Sequence, residues 1–312
     1  MTFPLIDAHC HLHDQRLWSP ASSLSCQMIQ GVLSRARHAH ISHVVSCATH
    51  EHDWRVLEQL MSQVTADSTL EIVPAFGVHP WWAHELDPDN LKPLRDILTR
   101  YPAASLGEIG LCKSARGKQV PVDVQVAAFR AQLELASELK RTCVLHCVGY
   151  YGKLLELLLS IGRAGKRLPP VLVLHSYSGP PDMMRSFLAL PDTRVFFSLN
   201  VKQLTDPRMK KAAVCCKEVP VDALLLETDA PDQTPSAEHV GKWFSHDVEH
   251  DEIPLTLQED STEINEPALL KLALYSAAGI RDVAIDALAI AVYQNSKEAF
   301  GIGDLEPKLD GV

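Results

Sequence analysis

Eight short runs rich in β-branched and other apolar residues recur along the chain, each separated from the next by enough residues for a helix. They are Pro4–Ile6, His43–Ala48, Ile72–Gly77, Ser105–Ile109, Thr142–His146, Val171–His175, Arg194–Leu199 and Ala223–Thr228. In the intervening Val124–Lys140, the residues Ala127, Ala128, Ala131, Leu135, Ala136 and Leu139 follow helical spacing, and Lys153–Ile161 and Pro181–Leu190 read the same way. Strand and helix alternating eight times predict parallel βαβ units, and eight such units close into an α/β fold, the (β/α)8 TIM barrel. An open doubly wound sheet would favour a glycine-rich phosphate loop after the first strand. Here the first strand runs into His9-Cys10-His11 instead. Ala268–Ala278 and Asp282–Phe300 are expected to complete the fold as helices, with residues 1–312 forming one domain.

Composition narrows the class further. A chain of 312 residues that is 46 % hydrophobic can bury a large core, which excludes wholesale disorder. Its eight cysteines contain no CxxC pair and read as reduced thiols of an intracellular protein. The N-terminus lacks a charged segment followed by an apolar core, so no signal peptide is expected. No uninterrupted apolar run approaches the roughly 18 residues of a membrane span. These features predict a soluble cytoplasmic or nuclear protein with no membrane partner. The net charge of -10 gives no help to a broad basic nucleic-acid-binding face. Nine acidic residues and one lysine lie between Glu238 and Glu266, however, so this stretch alone carries -8 and the rest is close to neutral. That segment, within about 232–266, reads as a loop or insertion after the eighth strand.

In a barrel of this kind, catalytic groups stand at the C-terminal ends of the strands. The first run leads into Asp7-Ala8-His9-Cys10-His11, the third into Gly77-Val78-His79-Pro80, and the fourth holds Gly107-Glu108-Ile109-Gly110. The fifth ends at His146, the sixth at His175, and the eighth leads through Glu227-Thr228 to Asp229. These are metal-ligand residue types delivered from different strands toward one point. An i, i+2 pair such as His9 and His11 faces one side of a strand, so both imidazoles can reach one ion. Taken singly, each residue has an ordinary alternative, such as Asp229 capping a helix ahead of Pro231.

The order DAHCH, GVHP, GEIGL, a strand-five histidine, LHSYSG and LETDAP resembles the TatD family of metal-dependent hydrolases, within the amidohydrolase superfamily. The resemblance runs from Asp7 to Asn265-Glu266-Pro267 and the terminal QNSKEAFGI. It implies a dinuclear divalent-metal centre and deoxyribonuclease activity. By the same resemblance, His9 and His11 hold the first ion, His146 and His175 the second, and Glu108 bridges them. Asp229 binds the first ion and acts as base toward the attacking water. Two such ions can activate a hydroxide and stabilise both the attacking and leaving oxygens of a phosphodiester. The donor set suits Zn or Mn better than Mg, and all three stay open. His79 is assigned to substrate-phosphate contact or leaving-group protonation, or else to a hydrogen bond within its loop. Ser176, Tyr177 and Ser178 follow a ligand directly and could line the substrate pocket.

Two departures bear on the substrate. Many family members read GEIGLD where this chain has Cys112, read here as a pocket or packing residue. Many bacterial members carry an arginine two positions after the strand-five histidine, where this chain has Val148, a pattern closer to a divergent eukaryotic branch. Lys113, Arg116 and Lys118, or Lys202, Arg208, Lys210 and Lys211, could supply the missing cation. The leading expectation is a metal-dependent exonuclease acting on single-stranded DNA. Its alternatives are a hydrolase of a small-molecule amide, lactone or phosphoester, and a metal-binding scaffold without turnover.

Overall fold

In the computed structural model the eight apolar runs form eight strands: β1 Leu5–Cys10, β2 Ile41–Cys47, β3 Glu71–Phe76, β4 Ser105–Cys112, β5 Cys143–Val148, β6 Val171–Leu174, β7 Arg194–Asn200 and β8 Leu224–Glu227. The structure describes residues 3–19, 23–64, 70–236 and 264–303. Neighbouring strands pair in parallel and in chain order from β1 to β8. The helices between them are α1 Ser23–His38, α2 Glu51–Val64, α3 Lys92–Arg100, α4 Val122–Glu138, α5 Tyr151–Arg163, α6 Met183–Leu188, α7 Val201–Thr205 and α8 Lys210–Glu218. The C-terminal pair is α9 Leu270–Arg281 and α10 Ile285–Phe300. No helix among the described residues is long and apolar enough to cross a membrane. Most of the acidic stretch falls at 237–263, outside the described residues.

Burial on both faces explains why the strands read as continuous apolar runs. Alternate residues divide between two cores. Ala8, Val45, Ala75, Val144, Val173, Phe196 and Leu225 fill the barrel interior. Their neighbours, such as Leu145, Leu172, Leu174, Phe197 and Leu226, pack outward with the helices. At the opposite end from the site, Ala299 and Phe300 of α10 join the interior cluster, and the Thr142 hydroxyl donates to the Ala299 carbonyl at 2.6 Å.

The seam between β8 and β1 is held by the first and last motifs. Backbone N–H groups of Asp229 and His11 donate to the carbonyls of His9 and Ala230 at 2.9 and 2.6 Å. Asp7 accepts from the Thr228 backbone at 2.9 Å and from its hydroxyl. Burial pushes the Asp7 carboxyl up to about 8 in spite of these bonds.

The NEP segment returns the chain to this seam. Asn265 donates from one amide nitrogen to the carbonyls of Thr228 and Asp232, at 2.6 and 2.7 Å. Glu266, 2 % exposed at its side chain, accepts from the Arg35 guanidinium of α1 at 2.6–3.0 Å. Arg35 is partly exposed, but removing it would take the cation from a buried carboxylate, which costs more than the pair itself contributes. Arg35→Met should therefore lower stability by about 3 kcal/mol, read as an earlier urea midpoint at unchanged slope. Arg35→Met/Glu266→Leu should recover most of that loss; a double variant no better than the single would refute it.

Candidate metal centre

The strand parity that fills the barrel also places the polar groups. His146 follows the interior residue Val144 by two positions, His175 follows Val173 by two, and Glu227 follows Leu225 by two. Each polar group therefore sits one layer above an apolar floor, facing inward. In β4 the register with β5 shifts between Leu106 and Ile109, and Glu108 turns inward there. Gly110 permits the close approach, since a Cβ at its φ of +149° would lie 1.9 Å from the His146 carbonyl oxygen.

Two groups of donor atoms meet at Glu108, which is buried. On the side of Oε2, His9 Nε2 and His11 Nε2 stand at 3.5 and 3.8 Å. These two nitrogens are 3.3 Å apart, and Asp229 Oδ1 is 3.7 and 3.6 Å from them. On the side of Oε1, His146 Nδ1 and His175 Nε2 each stand at 2.7 Å, with 3.2 Å between the nitrogens. His79 Nε2 lies 3.5 Å from the same oxygen. Three subsets of these groups, one including Glu227, have the composition and spacing to hold a metal ion.

The surrounding bonds orient the rings. His11 donates from Nδ1 to the Cys47 carbonyl at 2.6 Å, leaving Nε2 for the centre. His79 Nδ1 instead accepts from the Trp81 backbone N–H at 3.1 Å, so its neutral ring carries the proton on Nε2, facing Glu108. Burial opposes ionisation of Glu108, but the facing imidazoles outweigh it and hold the carboxyl well below the usual range. Burial also disfavours a charged His175, yet Glu108 and Glu227 raise its pKa well above the ordinary value. Burial and the neighbouring His175 lower that of His9.

The donor set fits divalent ions on three counts. It combines imidazole nitrogens with carboxylate oxygens, the ligands of borderline ions. The 3.3–3.8 Å separations among His9, His11, Glu108 and Asp229 approach the edges of a tetrahedron with arms of about 2.0–2.2 Å. Finally, buried polar atoms without a hydrogen-bond partner gather beside the centre: Glu227 Oε2 and, on the ring nitrogens opposite those that face Glu108, His9 Nδ1, His146 Nε2 and His175 Nδ1.

A family model described as TatD related DNase matches residues 6–301. The chain belongs to the TatD family. Cut9-interacting protein scn1 of Schizosaccharomyces pombe is 25 % identical over 72 % of this chain and 86 % of its own length. The 3'-5' ssDNA/RNA exonuclease TatD of Edwardsiella piscicida is 31 % identical over 50 % of this chain and 56 % of its own length. An uncharacterized amidohydrolase from Saccharomyces cerevisiae shares the fold with a TM-score of 0.76 at 19 % identity, covering 95 % of this chain and 99 % of its own.

In this TatD hydrolase the site opens into a cavity of about 1100 Å³, whose lining includes Cys112, Arg116, Val148 and Lys202. Of the three residues after the strand-six histidine, Ser176 alone reaches the centre. It adopts a left-handed φ of 44°, accepts from Asn200 Nδ2 at 2.7 Å and approaches Asp229 Oδ2 at 3.4 Å. The pocket assignment of Tyr177 is corrected: its ring is fully buried against Tyr151 and Phe197, and its hydroxyl donates to the Pro180 carbonyl at 2.8 Å. The turn at Ser176 directs that large apolar ring into the outer core. Ser178 is exposed and its hydroxyl pairs with Tyr151 at 3.0 Å, outside the cavity lining.

Cys112 stands beside His146, 3.1 Å from Ser114 Oγ. Burial raises its thiol, but the neighbouring His146 imidazole and Ser114 prevail and bring it down to about 7. Sequence reasoning missed Glu227, which accepts from the Ser176 N–H at 2.8 Å and lies 3.6 Å from His175 Nδ1. Its position two residues after the interior Leu225, on the same strand face, was the available signal. It also missed Asp53, which lines the cavity and receives His50 at 3.0 Å and His13 at 3.4 Å.

Proposed function

We propose that this TatD-family hydrolase cleaves phosphodiester bonds of single-stranded DNA, removing nucleotides from an end. The observation that carries this reading is the pair of donor groups on the two oxygens of Glu108. His9, His11 and Asp229 would hold one divalent ion, His146 and His175 a second, with Glu108 shared. Such ions supply Lewis acidity that activates water and stabilises the attacking and leaving oxygens. Asp229 takes the proton from the attacking water at Oδ2, the oxygen that faces Ser176 rather than the histidine pair. Ser176, fixed by Asn200, keeps that carboxylate in place. Glu227 backs His175 as an orienting carboxylate. His79 donates its Nε2 proton to a phosphate oxygen. The names of the bacterial relatives support a 3'-to-5' direction and extend the candidate substrates to RNA. A protein of this kind acts in the cytoplasm or nucleus, and residues 1–312 work as one domain.

A substrate panel tests the class. Activity on end-labelled oligonucleotides that falls steeply with added salt is expected. Turnover of small amides, lactones or phosphoesters, with none on oligonucleotides, would transfer the site to the small-molecule reading. Val148 is the observation in favour of that second reading, because it presents an apolar wall to the cavity.

His79 separates a substrate contact from a ligand. His79→Gln should lower kcat/KM by about 10–100-fold, the worth of a hydrogen bond to a charged group. Metal content should remain that of the wild type. A matching loss of bound metal would make His79 a ligand instead.

A further inference from the structure

One wall of the cavity is built from aromatic rings and a single guanidinium. Trp81 and Trp82 belong to the 3-10 turn Pro80–Glu85, directly after His79. The Trp81 ring lies 4.5 Å from the His79 ring and 6.4 Å from that of His146, so it borders the centre itself. Arg116, from the turn after β4, places its guanidinium carbon 4.3 Å from the Trp81 ring centre and 4.9 Å from that of Trp82. The Trp82 ring also stacks on His50 at 4.6 Å and 14°. An exposed arginine is thereby held in one place by two indoles.

The guanidinium is also chemically available. Among the described residues it has no carboxylate partner and no hydrogen-bond acceptor, whereas the neighbouring Arg16 is engaged by Asp14 and Asp232 at 2.9 and 2.8 Å. Among the described residues, the five N–H donors of Arg116 therefore meet no protein acceptor. A planar cation beside indole faces, adjoining a phosphodiester-cleaving centre, matches a ligand that repeats an anion and an aromatic ring. Single-stranded nucleic acid has that composition, and proteins bind it through stacking and phosphate contacts together.

We propose that Arg116, laid across Trp81 and Trp82, is a substrate clamp for the nucleotide adjoining the scissile phosphodiester. Its N–H groups hold a phosphate oxygen, while the guanidinium and indole planes stack with the base. The clamp rests on the nucleic-acid reading of the site and specifies where that substrate is held.

The test uses the full-length, metal-loaded protein and a fluorescein-labelled hexathymidylate with phosphorothioate linkages, which resist cleavage. Binding is followed by anisotropy across a range of KCl concentrations, and KM is measured on the ordinary hexamer. Arg116→Ala should weaken binding and raise KM by about tenfold, and should reduce the salt slope by about 0.7. Arg116→Lys should restore the slope while remaining weaker than wild type, because a point charge does not stack. Arg95→Ala removes a surface charge paired with Glu138 away from the cavity and should match wild type. If wild type binds and shortens the hexamer and Arg116→Ala equals it in affinity, KM and salt slope, the clamp is overturned while the nuclease reading stands. If wild type neither binds nor shortens it, the nucleic-acid reading fails and the clamp falls with it.

Discussion

Glutamine at position 108 is expected to lower hydrolysis by at least about 10³-fold and to reduce the bound divalent metal below that of wild type. The substitution preserves shape, since glutamine keeps one oxygen and the same chain length. It removes the negative charge on which the imidazoles of His9, His11, His79, His146 and His175 converge within 3.8 Å. It also removes one of two oxygens that address separate donor groups, so the two halves of the site lose their common member. Metal analysis of the purified variant, beside its turnover, checks both effects. Wild-type metal content and rate would reduce Glu108 to a packing residue.

Asparagine at position 229 should cost about 10³-fold or more in kcat while the protein stays folded. Asp229 adopts a left-handed φ of 60°, a conformation that asparagine tolerates and alanine does not accept readily. Asp229→Asn therefore isolates the loss of charge and basicity, whereas Asp229→Ala would mix it with backbone strain. The backbone N–H of residue 229 can still donate to His9 across the seam. Circular dichroism and thermal melting should match wild type. Near-wild-type turnover in this variant would remove Asp229 from the proton-transfer role.

The parts of the site legible in the sequence are those set by strand parity. Val144 and His146, Val173 and His175, and Leu225 and Glu227 stand on common faces, so strand-end histidines and acids could be expected to converge. The irregular places were less accessible. β1 shifts register between Asp7 and Cys10, and β4 shifts between Leu106 and Ile109, so simple alternation does not say that Glu108 turns inward. At Ser176 a single left-handed residue sends Tyr177 into the outer core, and nothing in the run His175-Ser176-Tyr177 marks that turn. The proton position on His79 depends on a bond from Trp81, and the seat of Arg116 depends on two rings some 35 positions away in the chain. Such contacts are products of the closed barrel. The motif resemblance supplied the identities of the central residues, and the structure supplied their tautomers, partners and orientation.

The most direct test is cleavage of 5'-labelled single-stranded DNA by metal-loaded wild type and Asp229→Asn, run side by side with metal content measured on the same samples. Wild type should produce a ladder of progressively shorter labelled products, and Asp229→Asn should leave the strand intact over the same interval. An intact strand with fully metal-loaded wild type, or identical ladders from both proteins, would contradict the assignment of this centre to DNA hydrolysis.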